Sequence, residues 1–190
     1  MLEEYGAIIE CFSPLHDAKL PDKCSGLLIG GGYPELYAGE LSKNTDMLTA
    51  IKNAIEDRIP VVAECGGFMY LHSAIKDKEE KCHKMVEAIP SVCHYTGKPV
   101  RFGYLEIEEK NGSFLPKGER IRGHEFHYFD SENNGNDCMA IKPATGKNYS
   151  CVISGENYWL GFPHLYYPSN PSFAKSFVEK AGRYKERRGY

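Results

Sequence analysis

The chain has 190 residues, 42% hydrophobic and 26% charged, with 23 Lys and Arg against 26 Asp and Glu and a formal net charge of -3. That composition suits one globular domain able to bury roughly 70% of its unfolded surface. The basic residues are scattered, which excludes the electrostatic footprint of a nucleic-acid binder, and no run of about 18 apolar residues is present to span a bilayer.

In chain order, residues 7–12 (A-I-I-E-C-F) form a short apolar run that reads as a buried strand. Residues 25–29 (S-G-L-L-I) read as a second strand, and Gly30-Gly31-Gly32-Tyr33-Pro34 must then turn. Residues 44–58 carry helical periodicity, with Met47, Leu48, Ile51, Ala54 and Ile55 on one side. Pro60 opens a third strand over 61–63, and residues 66–75 return to helical spacing through Met69, Leu71 and Ile75. Strands alternating with helices predict a parallel sheet with crossover connections. The second half differs. Residues 102–108, 119–129 and 157–166 are aromatic-rich, separated by Gly, Pro and Asn, and read as antiparallel strands. A last helix is expected over 171–184. Nothing resembles a linker, so residues 1–190 are expected to be a single domain.

Cys65 stands where the strand ending at Glu64 meets a helix beginning near Gly66. Such a turn strains the backbone and needs small residues on both sides of a nucleophile; Ala63 and Gly67 supply them. The sulfur is expected at the carboxyl end of the sheet, where ligands of open α/β folds bind. A helix start favours thiolate, and the free Gly66 N–H points towards a developing oxyanion. The triple-glycine loop is the candidate second donor, since glycine allows close backbone approach. It is not a phosphate loop, because no Lys-Ser or Lys-Thr follows. The other six cysteines lack this setting. His164, at the end of the apolar stretch Y-W-L-G-F-P-H, is placed on a rigid strand edge as a base requires; a satisfied core histidine would read the same way.

No metal site is expected. There is no C-x-x-C, and His124 and His127 in H-E-F-H lie in a stretch that reads as a strand, where a spacing of three puts them on opposite faces. Seven cysteines, an odd number without framework spacing, point to reduced thiols in a cytoplasm, and the first residues lack the order of a secretory signal.

Four stretches together resemble one family: G-G-G-Y-P-E at 30–35, A-E-C-G-G-F-M-Y-L at 63–71, R-G-H-E-F-H-Y at 122–128 and H-L-Y-Y-P-S-N-P at 164–171, with F-G-Y-L at 102–105. They are similar to the glutamine amidotransferase domain of cobyrinic acid a,c-diamide synthases, within the class I, triad-type amidotransferases. The resemblance implies a flavodoxin-like α/β fold with a mixed, mainly parallel sheet flanked by helices. It implies that Cys65 attacks the amide of L-glutamine to form a glutamyl thioester, that His164 shuttles the proton, and that Gly31, Gly32 and Gly66 bind the oxyanion. Ammonia would pass to an ATP-dependent synthetase domain or subunit that amidates the a and c side chains of a corrinoid.

Three departures matter. Many triad amidotransferases carry Glu two residues after the His, where this chain has Tyr166, so a Cys-His dyad is expected. No G-x-x-x-x-G-K-[ST] occurs, so ATP and Mg belong to a synthetase domain that this chain lacks, and no cofactor is expected here. Family domains also begin one strand and most of a helix earlier; residues 2–6 resemble the end of that helix, and a missing first strand would leave an edge unpaired. His124, Glu125 and His127 could face the synthetase, line an ammonia exit or form a polar network beside the site. The rival readings are a nickel-tetrapyrrole a,c-diamide synthase module, a cysteine hydrolase acting on another acyl group, and a non-enzymatic thiol-sensing module.

Overall fold

A computed structural model describes residues 1–190. In chain order the elements are β1 (Leu27–Ile29), α1 (Ala38–Lys43), α2 (Thr45–Glu56), β2 (Val61–Glu64), α3 (Gly66–Tyr70), β3 (His72–Lys76), β4 (Cys82–Lys84) and β5 (Ile89–Tyr95). There follow β6 (Arg101–Glu109), β7 (Arg120–His127), β8 (Phe129–Ser131), β9 (Cys138–Ile141), β10 (Asn148–Cys151), β11 (Ile153–Ser154), β12 (Tyr158–Gly161), β13 (His164–Leu165) and α4 (Pro171–Arg188). Short 3-10 turns precede α1 and α4.

The central sheet has the order β1-β2-β12-β11. β2 lies parallel to both β1 and β12, and only β11 runs antiparallel. With neighbours on both sides and packing on both faces, every residue of β2 is buried. That is why its sequence is almost unbroken apolar rather than alternating. Ala63 faces one apolar cluster with Met47, Ile51 and Phe68, while Val62 faces a second with Trp159, Phe173 and Phe177. The helices that cover the two faces are amphipathic and capped: Asn44 accepts from the Met47 N–H at the start of α2, and Asn170 from the Ser172 N–H at the start of α4.

A second sheet, β10-β9-β6-β7-β13, is antiparallel throughout. β7 alternates strictly between exposed and buried residues, so one face is packed and the other open. A third, β4-β3-β5-β8, is mixed. The parallel arrangement is therefore confined mostly to the sheet that carries Cys65, and the aromatic second half is antiparallel as its pattern predicts.

Several boundaries differ from the sequence reading. Residues 7–12 form no strand; Ile8 and Ile9 are exposed and β1 is the sheet edge. A short apolar run says nothing by itself about whether a pairing partner exists. The helix expected over 66–75 ends at Tyr70, and the chain continues as β3 between β4 and β5. Leu71 and Ile75 fit a helix face, but paired neighbours on both sides override that weak preference. The strands at 82–84, 89–95, 138–141, 148–151 and 153–154 go beyond those expected from the sequence. The stretch 157–166 breaks into β12 and β13 around Pro163, which has no N–H for a ladder.

Candidate active site

Cys65 occupies a backbone conformation that side chains rarely adopt, φ 49° and ψ −105°, between the end of β2 and the first residue of α3. Strain of this kind persists only where the surroundings enforce it. Here they do. The Cys65 N–H donates to the Gly161 carbonyl at 2.9 Å, which extends the β2–β12 pairing past the strand end. On the other side, α3 packs directly against the triple-glycine loop. A Cβ on Gly66 would come within 2.6 Å of the Gly32 carbonyl oxygen, and one on Gly67 would collide with the Ile29 carbonyl oxygen. The glycines at 66 and 67 are thus required by close backbone approach. The loop also bounds a cavity of about 350 Å³ that Gly66, Gly67 and Tyr70 share.

His164 meets the same loop. Its ring lies against Gly31, where any Cβ would strike the imidazole. Its position is fixed by β13 pairing with β7, which sets His164 opposite His124. The two imidazoles stack, with centroids 4.8 Å apart and planes 11° from parallel. Gly66, which follows Cys65 directly, and His164 thus meet the same glycine loop, at Gly32 and Gly31 respectively.

The electrostatics correct one expectation. Cys65 is buried, only 7% exposed, and its thiol is pushed up to about 12. Burial is the main cause; the Gly66 amide hydrogen bond lowers it, and Glu35, Glu125 and Glu64 raise it again. A helix of five residues has little macrodipole, and its start cannot outweigh desolvation and three nearby carboxyls. His164 is held below its ordinary value, first by burial and then by His124. The resting pair is thus a neutral thiol and a neutral imidazole.

Residues to which the sequence reading gives no role complete the surroundings. Glu64, at the end of β2, is buried; its Oε1 accepts from the Tyr167 hydroxyl at 2.5 Å and its Oε2 from the Leu165 N–H at 3.4 Å. Burial raises its carboxyl above the usual range despite those bonds. The signal is present in the sequence: a single acid closing an apolar, fully buried strand must have partners. In the H-E-F-H stretch, His124 is exposed and His127 buried, on opposite faces as the strand reading predicts. Glu125 is fully buried, accepts from the Tyr149 hydroxyl and lies 3.8 Å from Arg101 Nη1. His127 stacks on Phe162 and its Nδ1 bonds the Phe129 carbonyl at 2.6 Å. Glu125 thus sits in a polar cluster with Tyr149 and Arg101, while His127 is held by a backbone carbonyl and an aromatic stack. No group of three or more His, Cys, Asp or Glu side chains is arranged to hold a metal ion, all seven cysteines are free, and no helix is long and apolar enough to cross a membrane.

A family model described as the CobB/CobQ-like glutamine amidotransferase domain matches residues 1–168. The chain is 40% identical over 186 residues to a cobyrinate a,c-diamide synthase of Caldanaerobacter subterraneus subsp. tengcongensis, covering 96% of this chain and 41% of that protein. It is 45% identical over 188 residues to the cobyrinate a,c-diamide synthase of Salmonella typhimurium, with 96% and 41% covered. The chain thus spans about 40% of the length of the curated relatives it matches. Among solved structures, a putative GMP synthase component from Thermoplasma acidophilum superposes with TM-score 0.58 at 18% identity, covering 100% of this chain and 88% of that one. A glutamine amidotransferase crystal structure gives TM-score 0.57 at 13% identity, covering 83% and 79%. At these identities the likeness is one of fold.

Proposed function

This chain belongs to the CobB/CobQ-like glutamine amidotransferase domain family, and we propose that it hydrolyses L-glutamine at Cys65 and supplies the ammonia to an ATP-dependent amidation of cobyrinate in cobalamin biosynthesis. The observation that carries the proposal is the enforced conformation of Cys65, at the end of a buried parallel strand and backed by Gly66 and the glycine loop, with His164 against that loop.

The chemistry follows from that arrangement. Cys65 Sγ attacks the side-chain amide carbon of glutamine while His164 takes the thiol proton. The amide oxygen becomes an oxyanion beside the Gly66 N–H and the amides of Gly31 and Gly32, whose missing side chains leave the backbone open to it. The proton held by His164 passes to the leaving nitrogen, the C–N bond breaks and ammonia departs, leaving a glutamyl thioester. Water, activated by the neutral imidazole, then attacks the thioester carbon; glutamate leaves and Cys65 recovers its proton. The sum is glutamine plus water giving glutamate plus ammonia.

The substrate of the amidation rests on the relatives, which are named cobyrinate a,c-diamide synthases, and the ATP-dependent amidating part corresponds in this reading to the larger share of their length. The open face of β6 and β7 suits its docking. Phe102, Tyr104 and Phe126 are exposed there, Phe102 and Phe126 packing edge to face at 5.6 Å, on the same face as His124. An exposed aromatic patch of this kind marks an interaction surface, and it continues through the His124–His164 stack to the site. The test is ammonia release from L-glutamine. It is expected from the wild-type chain, absent in Cys65→Ala and reduced at least about a hundredfold in His164→Ala, the size of a lost general base. Undiminished release by Cys65→Ala contradicts the proposal.

A further inference from the structure

A glutaminase imidazole needs something to hold its tautomer and receive its charge, and the position two residues after His164 offers nothing: Tyr166 is 60% exposed. The carboxylate that meets the ring comes from the other side of the site. Glu64 Oε2 lies 3.9 Å from His164 Nδ1. No Lys or Arg pairs with Glu64; its partners are the Leu165 N–H and the Tyr167 hydroxyl, one and three residues beyond His164. The register places Glu64 opposite Gly161, so the strand that delivers Cys65 also presents this carboxylate to the segment carrying the base. A buried acid whose contacts are all drawn from residues 164–167 is tied to that segment.

We infer that Glu64 is the residue that positions His164 for the proposed glutaminase reaction, in the role that an acid after the histidine fills elsewhere. It acts through the imidazole. As His164 takes the Cys65 proton on one nitrogen, the opposing Nδ1–H swings to Oε2, closing a gap that is now too long for a hydrogen bond. The tyrosine and the amide keep the carboxylate from turning away. The other titratable groups facing the ring are the His124 imidazole stacked from β7 and, on the same strand but buried, His127; the glycine loop contributes uncharged Gly31.

The inference rests on the glutaminase reading for its kinetics but not for its direct readout. Glu64→Gln keeps hydrogen-bonding capacity towards Tyr167 and Leu165 and removes the charge. Its kcat for ammonia release is expected to fall at least about tenfold with KM within about twofold, less than the loss of the base itself because the carboxylate only orients the imidazole. The acidic limb of kcat/KM, and the His164 imidazole titration followed by NMR, should both move to lower pH, because the imidazolium loses its neighbouring anion. A merely structural anchor would change stability and leave the His164 titration in place. Glu64→Asp, which keeps the charge, should lie nearer to wild type on both measures, and Glu64→Met, of similar size and uncharged, serves as the second variant if Glu64→Gln does not fold. Tyr166→Phe should match wild type throughout. An unmoved His164 titration in Glu64→Gln, or in Glu64→Met where Glu64→Gln does not fold, overturns the inference. If the wild-type chain releases no ammonia, the glutaminase reading fails separately, and the titration still decides whether Glu64 and His164 are coupled.

Discussion

Burial works against the Cys65 thiol and for the His164 base. With the thiol pushed up to about 12 and the imidazole held below its ordinary 6.5, attack and proton transfer in the proposed reaction must be coupled rather than start from a stored thiolate. Two outcomes follow. Difference absorbance between wild type and Cys65→Ala should show no Cys65 thiolate at neutral pH, with its signal appearing only above the ordinary thiol value of 9.0. The acidic limb of kcat/KM should lie below pH 6.5, since activity is lost only as falling pH protonates an imidazole whose proton affinity is depressed. At this scale the sequence is informative where one residue sits at a junction of patterns: a small-flanked cysteine between strand and helix is visible without coordinates. The thiol's protonation is not, because Glu35 and Glu125 reach Cys65 through the fold, from 30 residues before it and 60 after.

The strand-to-helix turn depends on glycine at two adjacent positions for steric reasons that can be measured. Gly67→Ala drives a Cβ into the Ile29 carbonyl and Gly66→Ala into the Gly32 backbone, so each should destabilise the chain by roughly 1–3 kcal/mol, as overpacking of a tight contact does. Gly30→Ala, which meets nothing within 4 Å, should unfold at the wild-type denaturant midpoint. Denaturant titration of the three variants checks the contrast. The same elements show how far periodicity reaches. α2 and α4 carry caps and an apolar stripe, and both are legible to within a few residues. Periodicity extends α3 too far, because Leu71 and Ile75 satisfy a helix and a strand equally well. β4, β9 and β10 escape it because strands of three or four residues carry too little alternation to be read.

Across the whole molecule, acid should undo the fold through two buried histidines. His72 and His127 are both lowered to about 4. Desolvation is the main cause in each, and His72 bonds the Phe68 carbonyl and Ser131 Oγ at 2.7 Å. A depressed histidine contributes stability that is complete above its unfolded value of 6.5 and is lost as pH falls towards 4, by roughly 3 kcal/mol for each such shift. Urea unfolding at pH 7.5 and 5 should therefore differ, and by less in His72→Gln than in wild type. The aromatic face of β6 and β7 predicts a separate behaviour. Under the proposed function, joined to the share of the Salmonella relative that this chain does not match, Phe102→Glu should lose amidation driven by glutamine while keeping amidation driven by free ammonia. The class of fold is legible because its motifs fall in order along nearly the whole chain. The division into three sheets is not, since pairings such as β3 with β5 or β7 with β13 join segments whose own patterns do not name their partners.

Peptide mass mapping after treatment with a glutamine-derived diazoketone decides whether the Cys65 sulfur is the nucleophile proposed for glutamine. One added group is expected on the peptide containing Cys65, with protection by excess L-glutamine and no label in the Cys65→Ala chain. Label distributed over the exposed Cys11 and Cys82 with Cys65 untouched would contradict it.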